Sequence, residues 1–313
     1  MDRKKLVQDI LKLKKEKNAV ILAHCYQNIE VDEVADYVGD SLYLSQMAAE
    51  TNADIIVFAG VYFMAETAKI LSPNKKVLLP KIEAGCKMAD MINLEQLREF
   101  KSNHPNIPVV CYINSTAEVK SESDICCTSS NAVKIVESLS EKEVLFIPDN
   151  YLGTWVQSQL DNVKVTTYSG FCPTHLNITK EDIERQKKFH PEALVLVHPE
   201  CHQSVTEIAD YVGSTTGIMK FAKESDKKTF IISTEIGVVQ RLQRDLPEKE
   251  FILVSPKAVC KDMKRIHLKD IFNSLKNEEH EIIVDEKISK KALNCINRML
   301  DISKRAPESF STE

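Results

Sequence analysis

AVILAHCYQN (Ala19–Asn28) decides the fold, because two later stretches repeat its character: PVVCYINSTA (Pro108–Ala117) and ALVLVHPECH (Ala193–His202). Each is a short apolar run that ends abruptly in polar and ring-bearing residues. Such a run reads as a strand covered on both faces, the pattern of a parallel sheet. The polar ends align as His24, Tyr112 and His198, and two positions further on as Tyr26, Asn114 and Glu200.

The correspondence extends outward from these strands. Downstream of each lies a small hydroxyl placed to open a helix: Ser41, Ser129, and Thr215 with Ser214 before it. A second strand follows in each third, DIIVFAG from Asp54, EVLFIPDN from Glu143 and TFIISTEIG from Thr229. Next come three strand-like runs that end on a thiol, VLLPKIEAGC (Val77–Cys86), VKVTTYSGFC (Val163–Cys172) and FILVSPKAVC (Phe251–Cys260). Helical stretches close the thirds at Leu94–Phe100, Glu181–Phe189 and Leu268–Leu275. Self-similarity of this kind governs the fold. The expectation is an α/β protein of three similar α/β/α sandwich units with parallel sheets, in pseudo-threefold arrangement around a central site. Its units are residues 1–104 with an N-terminal helix, 105–190, and 191–313 with a C-terminal helix and tail. No linker separates them, and Pro307–Glu313 reads as a mobile tail.

Composition narrows the function classes. With 313 residues, 43% of them hydrophobic and 28% charged, the chain can bury a sizeable core. A net charge of −5 gives no reason to expect nucleic acid or an anionic membrane as partner. Basic runs such as KLKKEK (Lys12–Lys17) read as solvated helix faces, and no stretch is apolar enough to span a bilayer. The N-terminus has no signal-peptide core, so a cytoplasmic location is expected. Nine cysteines in reducing cytosol are then not a disulfide framework. The absence of any CxxC argues against a zinc ribbon, a redox motif or a ferredoxin run. Cys111 and Cys295 read as core residues, and Cys25, Cys201, Cys126 and Cys127 as less symmetric thiols near element ends.

The symmetric groups carry the chemistry. Cys86, Cys172 and Cys260, one per repeat, suit either a tetrahedral metal with an open position or a 4Fe–4S cluster with one iron free of protein. In both, the open position is a Lewis acid for a substrate oxygen. Singly, a hydroxyl at a helix start is an N-cap; three converging helix starts make an anion site for phosphate or a dicarboxylate. His24, Tyr26, Tyr112, His198 and Glu200 are acid–base candidates, with Glu200 placed as general base. Asn114 can orient a carbonyl or carboxylate. His175, three residues past Cys172, can act there or steer the anion. Asp149-Asn150 and Thr234-Glu235 either line the same funnel or cap helices, and Lys81, Lys220 and Trp155 read as surface charge and packing.

Taken together, AHCYQ (Ala23–Gln27), GDS (Gly39–Ser41), EAGCKMAD (Glu83–Asp90), CYINS (Cys111–Ser115), PDNYLG (Pro148–Gly153), GFCPTH (Gly170–His175), VHPEC (Val197–Cys201), GSTTGI (Gly213–Ile218) and STEIG (Ser233–Gly237) resemble the quinolinate synthase family of NAD biosynthesis. The resemblance implies a 4Fe–4S cluster on Cys86, Cys172 and Cys260, with its fourth iron left for substrate. It implies a transferase that condenses iminoaspartate with dihydroxyacetone phosphate to quinolinate, phosphate and water. An aspartate oxidase or dehydrogenase would supply the iminoaspartate. The implied substrate-binding residues are His24, Tyr26, Ser41, Tyr112, Asn114, Ser129, His175, His198, Glu200, Ser214 and Thr215. Some family members carry a CxxCxxC run at the last ligand; Val254 and Lys257 stand there in this chain, so no disulfide switch is expected. Other expectations compatible with the residues are a different 4Fe–4S hydro-lyase or dehydratase, and a non-catalytic cluster sensor.

Overall fold

The computed structural model describes residues 2–304; the expectation for Pro307–Glu313 falls outside them. Twelve strands form three separate parallel sheets with the same internal order. The first sheet contains β1 (Ala19–His24), β2 (Tyr37–Gly39), β3 (Ile55–Ala59) and β4 (Lys76–Leu78), arranged 2-1-3-4. The second repeats that order with β5 (Val109–Tyr112), β6 (Ile125–Cys127), β7 (Glu143–Ile147) and β8 (Lys164–Thr167). The third does so with β9 (Leu194–Val197), β10 (Tyr211–Val212), β11 (Thr229–Ser233) and β12 (Glu250–Leu253). The fold is therefore the expected α/β assembly of three similar units.

The physical cause is visible in the central strands. β3 is buried along its whole length, and β1, β7 and β11 along all but their first residue. Parallel strands covered on both faces need continuous apolar sequence, which the quoted stretches supply.

Sequence reading did not resolve β2, β6 and β10, whose two or three residues carry no apolar run of their own. A carboxylate places each of them. Asp36, Asp124 and Asp210 stand just before these strands and accept the backbone N–H of Ile21, Val109 and Val195 at 2.8, 2.8 and 2.7 Å. Each aspartate N–H returns to the carbonyl of the same residue, at 2.9, 3.1 and 2.9 Å. The signal was present as ADYVGDS (Ala35–Ser41) and ADYVGST (Ala209–Thr215).

The fourth strand of each unit ends before the thiol expected to close it, at Leu78, Thr167 and Leu253, so Cys86, Cys172 and Cys260 sit in the loops beyond. Prolines and glycines there (Pro80, Gly170, Pro256) stop the ladder before the thiol is reached. Ser41 and Thr215 open helices Ser41–Glu50 and Thr215–Glu224, whereas Ser129 lies in a turn before the helix Ala132–Ser138.

Terminal segments knit the units together. The helix Arg3–Glu16 buries Leu6 and Ile10 and packs on β1 and on the helix Leu268–Asn277. The helix Glu286–Lys304, which follows the third repeat, lies against the second unit, on β6 and the helix Ala117–Ser121. Residues 280–282 pair with the exposed edge of β4, removing it as a site for edge pairing. Most of the core is one continuous apolar cluster running through all three units.

Candidate active site

In a 2-1-3-4 parallel sheet the chain departs in opposite directions from β1 and β3, leaving a crevice beyond their C-terminal ends. The three sheets point such crevices at one cavity of about 270 Å³. Its walls hold His24, Tyr26, Ser41, Cys86, Tyr112, Asn114, Ser129, Cys172, His198, Glu200, Thr215 and Cys260, nearly every residue singled out from the repeat. Two expected binding residues stand behind the wall. Ser214 caps the helix Thr215–Glu224 by accepting the Gly217 N–H at 3.2 Å and is absent from the cavity lining. His175 is buried in the second layer and reaches the cavity through its partners.

Those partners form one chain of hydrogen bonds across all three units. Tyr112 donates its hydroxyl to Glu200 Oε1 at 2.5 Å. His175 Nδ1 meets Glu200 Oε2 at 2.7 Å and donates to it, since an ionised carboxylate can only accept. Nε2 lies 2.9 Å from Thr234 Oγ1, which is 2.9 Å from the Tyr26 hydroxyl; that hydroxyl is 3.0 Å from Thr215 Oγ1. Burial opposes ionisation of Glu200, yet the facing His175 and the hydrogen bonds from His175 and Tyr112 hold its carboxyl below the ordinary range.

His24 and His198 occupy matching places and are set alike. Burial is the main cause that pushes both down to about 3, with the Arg241 cation adding at His24 and His175 adding at His198. Both are therefore neutral at pH 7. Nδ1 of His24 accepts the Tyr26 N–H at 3.1 Å, and Nδ1 of His198 accepts the Glu200 N–H at 3.3 Å. The proton is thereby assigned to Nε2, which has no protein partner among the described residues and remains to donate to a ligand. His198 stacks on His175 at 4.5 Å, and His24 packs edge-on against Tyr26 at 4.6 Å. Asn114 Oδ1 is buried with no hydrogen-bond partner, an acceptor left for something absent from the protein itself.

Three cysteines face this cavity and the other six do not. Cys111, Cys126, Cys127 and Cys295 lie in the core of the second unit, where Cys126 Sγ and Cys295 Sγ are 3.2 Å apart. Cys25 and Cys201 are buried behind the strand ends, and Cys201 Sγ donates to Ser233 O. As free thiols the facing three are all shifted upward by burial, Cys86 to about 12. Charge on Cys260 adds to the upward shift of Cys86, and charge on Cys260 and Cys86 adds to that of Cys172. Three thiols lining one cavity fit a shared soft-metal group, whose positive charge offsets that repulsion. Among the described residues, one other set of donors, Cys172, His175 and Glu200, has its ligand atoms within 4.8 Å of one another. Its members already satisfy one another, His175 Nδ1 standing 3.2 Å from Cys172 Sγ and 2.7 Å from Glu200, so it needs no ion.

Several participants were not singled out as site residues. Arg241 and Lys264 fix the backbone of Cys25–Gln27, Lys87, Lys257 and Lys261 stand at the mouth, and Asp40 caps the Ser41 helix. Local pattern does not distinguish Arg241 and Lys264 from solvated cations, since only the tertiary contact draws them from water. Asp149 and Glu235 do cap the following helices, accepting the N–H of Leu152 at 2.8 Å and of Gly237 at 2.6 Å. Lys81 and Lys220 lie beside Asp270 and Glu224, away from the cavity. Trp155 packs on the core.

Comparison with known proteins agrees with this geometry. Residues 8–301 match the family model described as quinolinate synthetase A protein. The quinolinate synthase of Alkaliphilus metalliredigens is 53% identical over 302 residues, 96% of this chain and 100% of the relative. Quinolinate synthase 2 of Methanosarcina acetivorans is 52% identical over 97% of each chain. The quinolinate synthase of Dehalococcoides mccartyi is 52% identical over 96% of this chain and 100% of its own. A repeat, a cavity and a match that all span the same residues lead to one assignment: the chain belongs to the quinolinate synthetase A protein family.

Proposed function

We propose that the cavity condenses iminoaspartate with dihydroxyacetone phosphate to give quinolinate, phosphate and water, the reaction of NAD biosynthesis carried by this family. The observation that supports this most directly is the coincidence of three thiols, a hydrogen-bonded carboxylate and three small hydroxyls on one wall. Cys86, Cys172 and Cys260 would hold a 4Fe–4S cluster. Its open iron supplies Lewis acidity toward a substrate hydroxyl or carboxylate.

The protein groups do the rest. Lys87, Lys257 and Lys261 at the mouth offset Asp40 and Asp262 and favour entry of anions. Ser41, Ser129 and Thr215 accept the phosphate and then the carboxylates of later intermediates. Neutral His24 and His198 donate Nε2–H to substrate oxygens, and Asn114 Oδ1 accepts an N–H or O–H. Glu200, ionised and held from both sides, takes the carbon-bound proton. Tyr112, bonded directly to Glu200, and Tyr26, linked to it through the Thr234–His175 chain, return protons to leaving oxygens. Iminoaspartate hydrolyses in water, so an aspartate oxidase or dehydrogenase must deliver it close by. No helix among the described residues is long and apolar enough to cross a membrane, compatible with action in the cytoplasm.

The experiment is anaerobic reconstitution with iron and sulfide, followed by an assay for quinolinate from freshly generated iminoaspartate and dihydroxyacetone phosphate. Product formation that depends on the loaded cluster is expected. A fully loaded protein that makes no quinolinate overturns the reading.

A further inference from the structure

Glu235 is fully buried and does three things at once. Its Oε2 accepts the Gly237 N–H at 2.6 Å and so caps the helix Ile236–Asp245. Its Oε1 accepts the backbone N–H of Cys260 at 3.2 Å. Its counter-charge is Lys264, with Nζ 3.2 Å from Oε1. Lys264 does not end there. Its Nζ donates to Tyr26 O at 2.6 Å and to Gln27 O at 3.4 Å, on the far side of a unit boundary.

The surroundings leave this connection little slack. A methyl group at Gly237 would come within 2.6 Å of Cys25 O, so the third unit's helix already touches the end of β1. One turn along, fully buried Arg241 donates to Cys25 O at 2.6 Å and pairs with Asp32. Thr234, beside Glu235 in sequence, bonds the Tyr26 hydroxyl at 2.9 Å. One segment therefore touches a thiol-bearing loop through its backbone, and Tyr26 at both its carbonyl and its hydroxyl. A buried ion pair contributes little net stability over an apolar replacement, so stability alone is a poor account of it.

We propose that the Glu235–Lys264 pair is a positioning strut that holds the Cys260 loop and the Tyr26 segment in one register. Retention of the metal group and placement of Tyr26 are thereby coupled. The proposal rests on the reading of Cys260 as a ligand. Neither residue touches substrate; both act through the backbone of those that do.

The test uses anaerobically reconstituted full-length protein with Glu235→Gln, Lys264→Met, Lys264→Arg and the Glu235→Gln/Lys264→Met double variant. Two quantities are read: the rate at which a ferrous chelator strips iron, and kcat with KM measured separately. Loss of an outer support of this kind costs roughly 10–100-fold in metal hold or activity. Lys264→Met is expected to lose iron about 10-fold faster and to lower kcat about 10-fold with little change in KM. Lys264→Arg should recover most of both, since a guanidinium can still reach the carboxylate and the carbonyls. The double variant should be no worse than the worse single one, because both remove the same strut. Should Glu235→Gln fail to fold, the contrast between Lys264→Met and Lys264→Arg still decides. Normal iron retention and kcat in Lys264→Met, or independent multiplying effects in the double variant, overturn the strut alone. Wild-type protein that takes up no iron overturns the ligand reading, and the strut with it.

Discussion

The loops of Cys86 and Cys260 share a backbone and differ in what braces it. In each, the first residue of a helix donates its N–H to the carbonyl two positions before the cysteine: Tyr62 to Ala84 at 2.8 Å, Ile236 to Ala258 at 2.9 Å. The second unit repeats this with Asn150 and Gly170 at 2.8 Å. The residue before each donor is the helix cap, and there the repeat breaks. Asp149 and Glu235 cap with carboxylates, whereas Val61 contributes no side-chain cap at all. The Cys260 loop gains a tie to Glu235, and the Cys172 loop gains His175 with its link to Glu200. The side-chain ties of the Cys86 loop, His280 Nδ1 to Pro80 O at 3.4 Å and Lys81 to Asp270 at 3.9 Å, lie at its start and away from the thiol, and beside it lies a second cavity of about 260 Å³ lined by Tyr62, Glu66 and Asp90. Symmetry in the three thiols thus coexists with asymmetry in the support of their loops.

The largest expected effect tests whether the three loops are equivalent as ligands. Cys86→Ala, Cys172→Ala and Cys260→Ala should each abolish the cluster absorbance and the bound iron, while Cys111→Ala and Cys295→Ala keep both. A loaded Cys86→Ala protein would break the equivalence. Next in size is the chemistry attached to the Cys172 loop. Glu200→Gln should leave iron content unchanged and reduce kcat by about 10²–10⁴, the usual weight of a general base, read by quinolinate formation.

Backbone room gives a smaller, sharper contrast. A methyl at Gly170 would lie 2.5 Å from the Pro148 carbonyl, whereas one at Gly85 meets nothing within 4 Å. Gly170→Ala is expected to destabilise the cluster-free protein by about 1–3 kcal/mol in urea unfolding. Gly85→Ala should stay within about 0.5 kcal/mol of wild type.

The weakest effect is spread over pH and belongs to His24 and His198. Their folded values near 3 lie below the ordinary 6.5, so the unfolded chain binds more protons than the folded one in between. Their contribution is fully present above pH 6.5 and is lost as pH falls toward 3. Each histidine can cost up to about 1.4 kcal/mol per pH unit there. His24→Asn should flatten the fall in urea stability between pH 6 and pH 4; an unchanged slope would show that another group governs it.

How far the sequence could be read follows from the same contrast. The quoted strands were legible because continuous apolar runs have no other stable place than a covered sheet. Cys86, Cys172 and Cys260 were legible as a set because the repeat sets them at matching places. Asp36, Asp124 and Asp210 were equally periodic but lay outside any apolar run, so they escaped notice. The Ser129 turn and the withdrawal of Ser214 into a cap depend on local hydrogen bonds that spacing does not encode. Glu235 was read as a funnel residue or a cap, and its grip on Cys260 and Lys264 had no local sign.

The sequence by itself determined the three sheets, their parallel sense and the residues at their C-terminal ends, because these follow from short-range hydrophobic pattern repeated three times. Which of nine cysteines share one wall, which histidine stands behind it, and which lysine is drawn from water to a carbonyl were decided by tertiary packing. Those outcomes depend on contacts between residues more than 200 positions apart, such as Lys264 with Tyr26. Burial and charge act there through space, and no local pattern carries them.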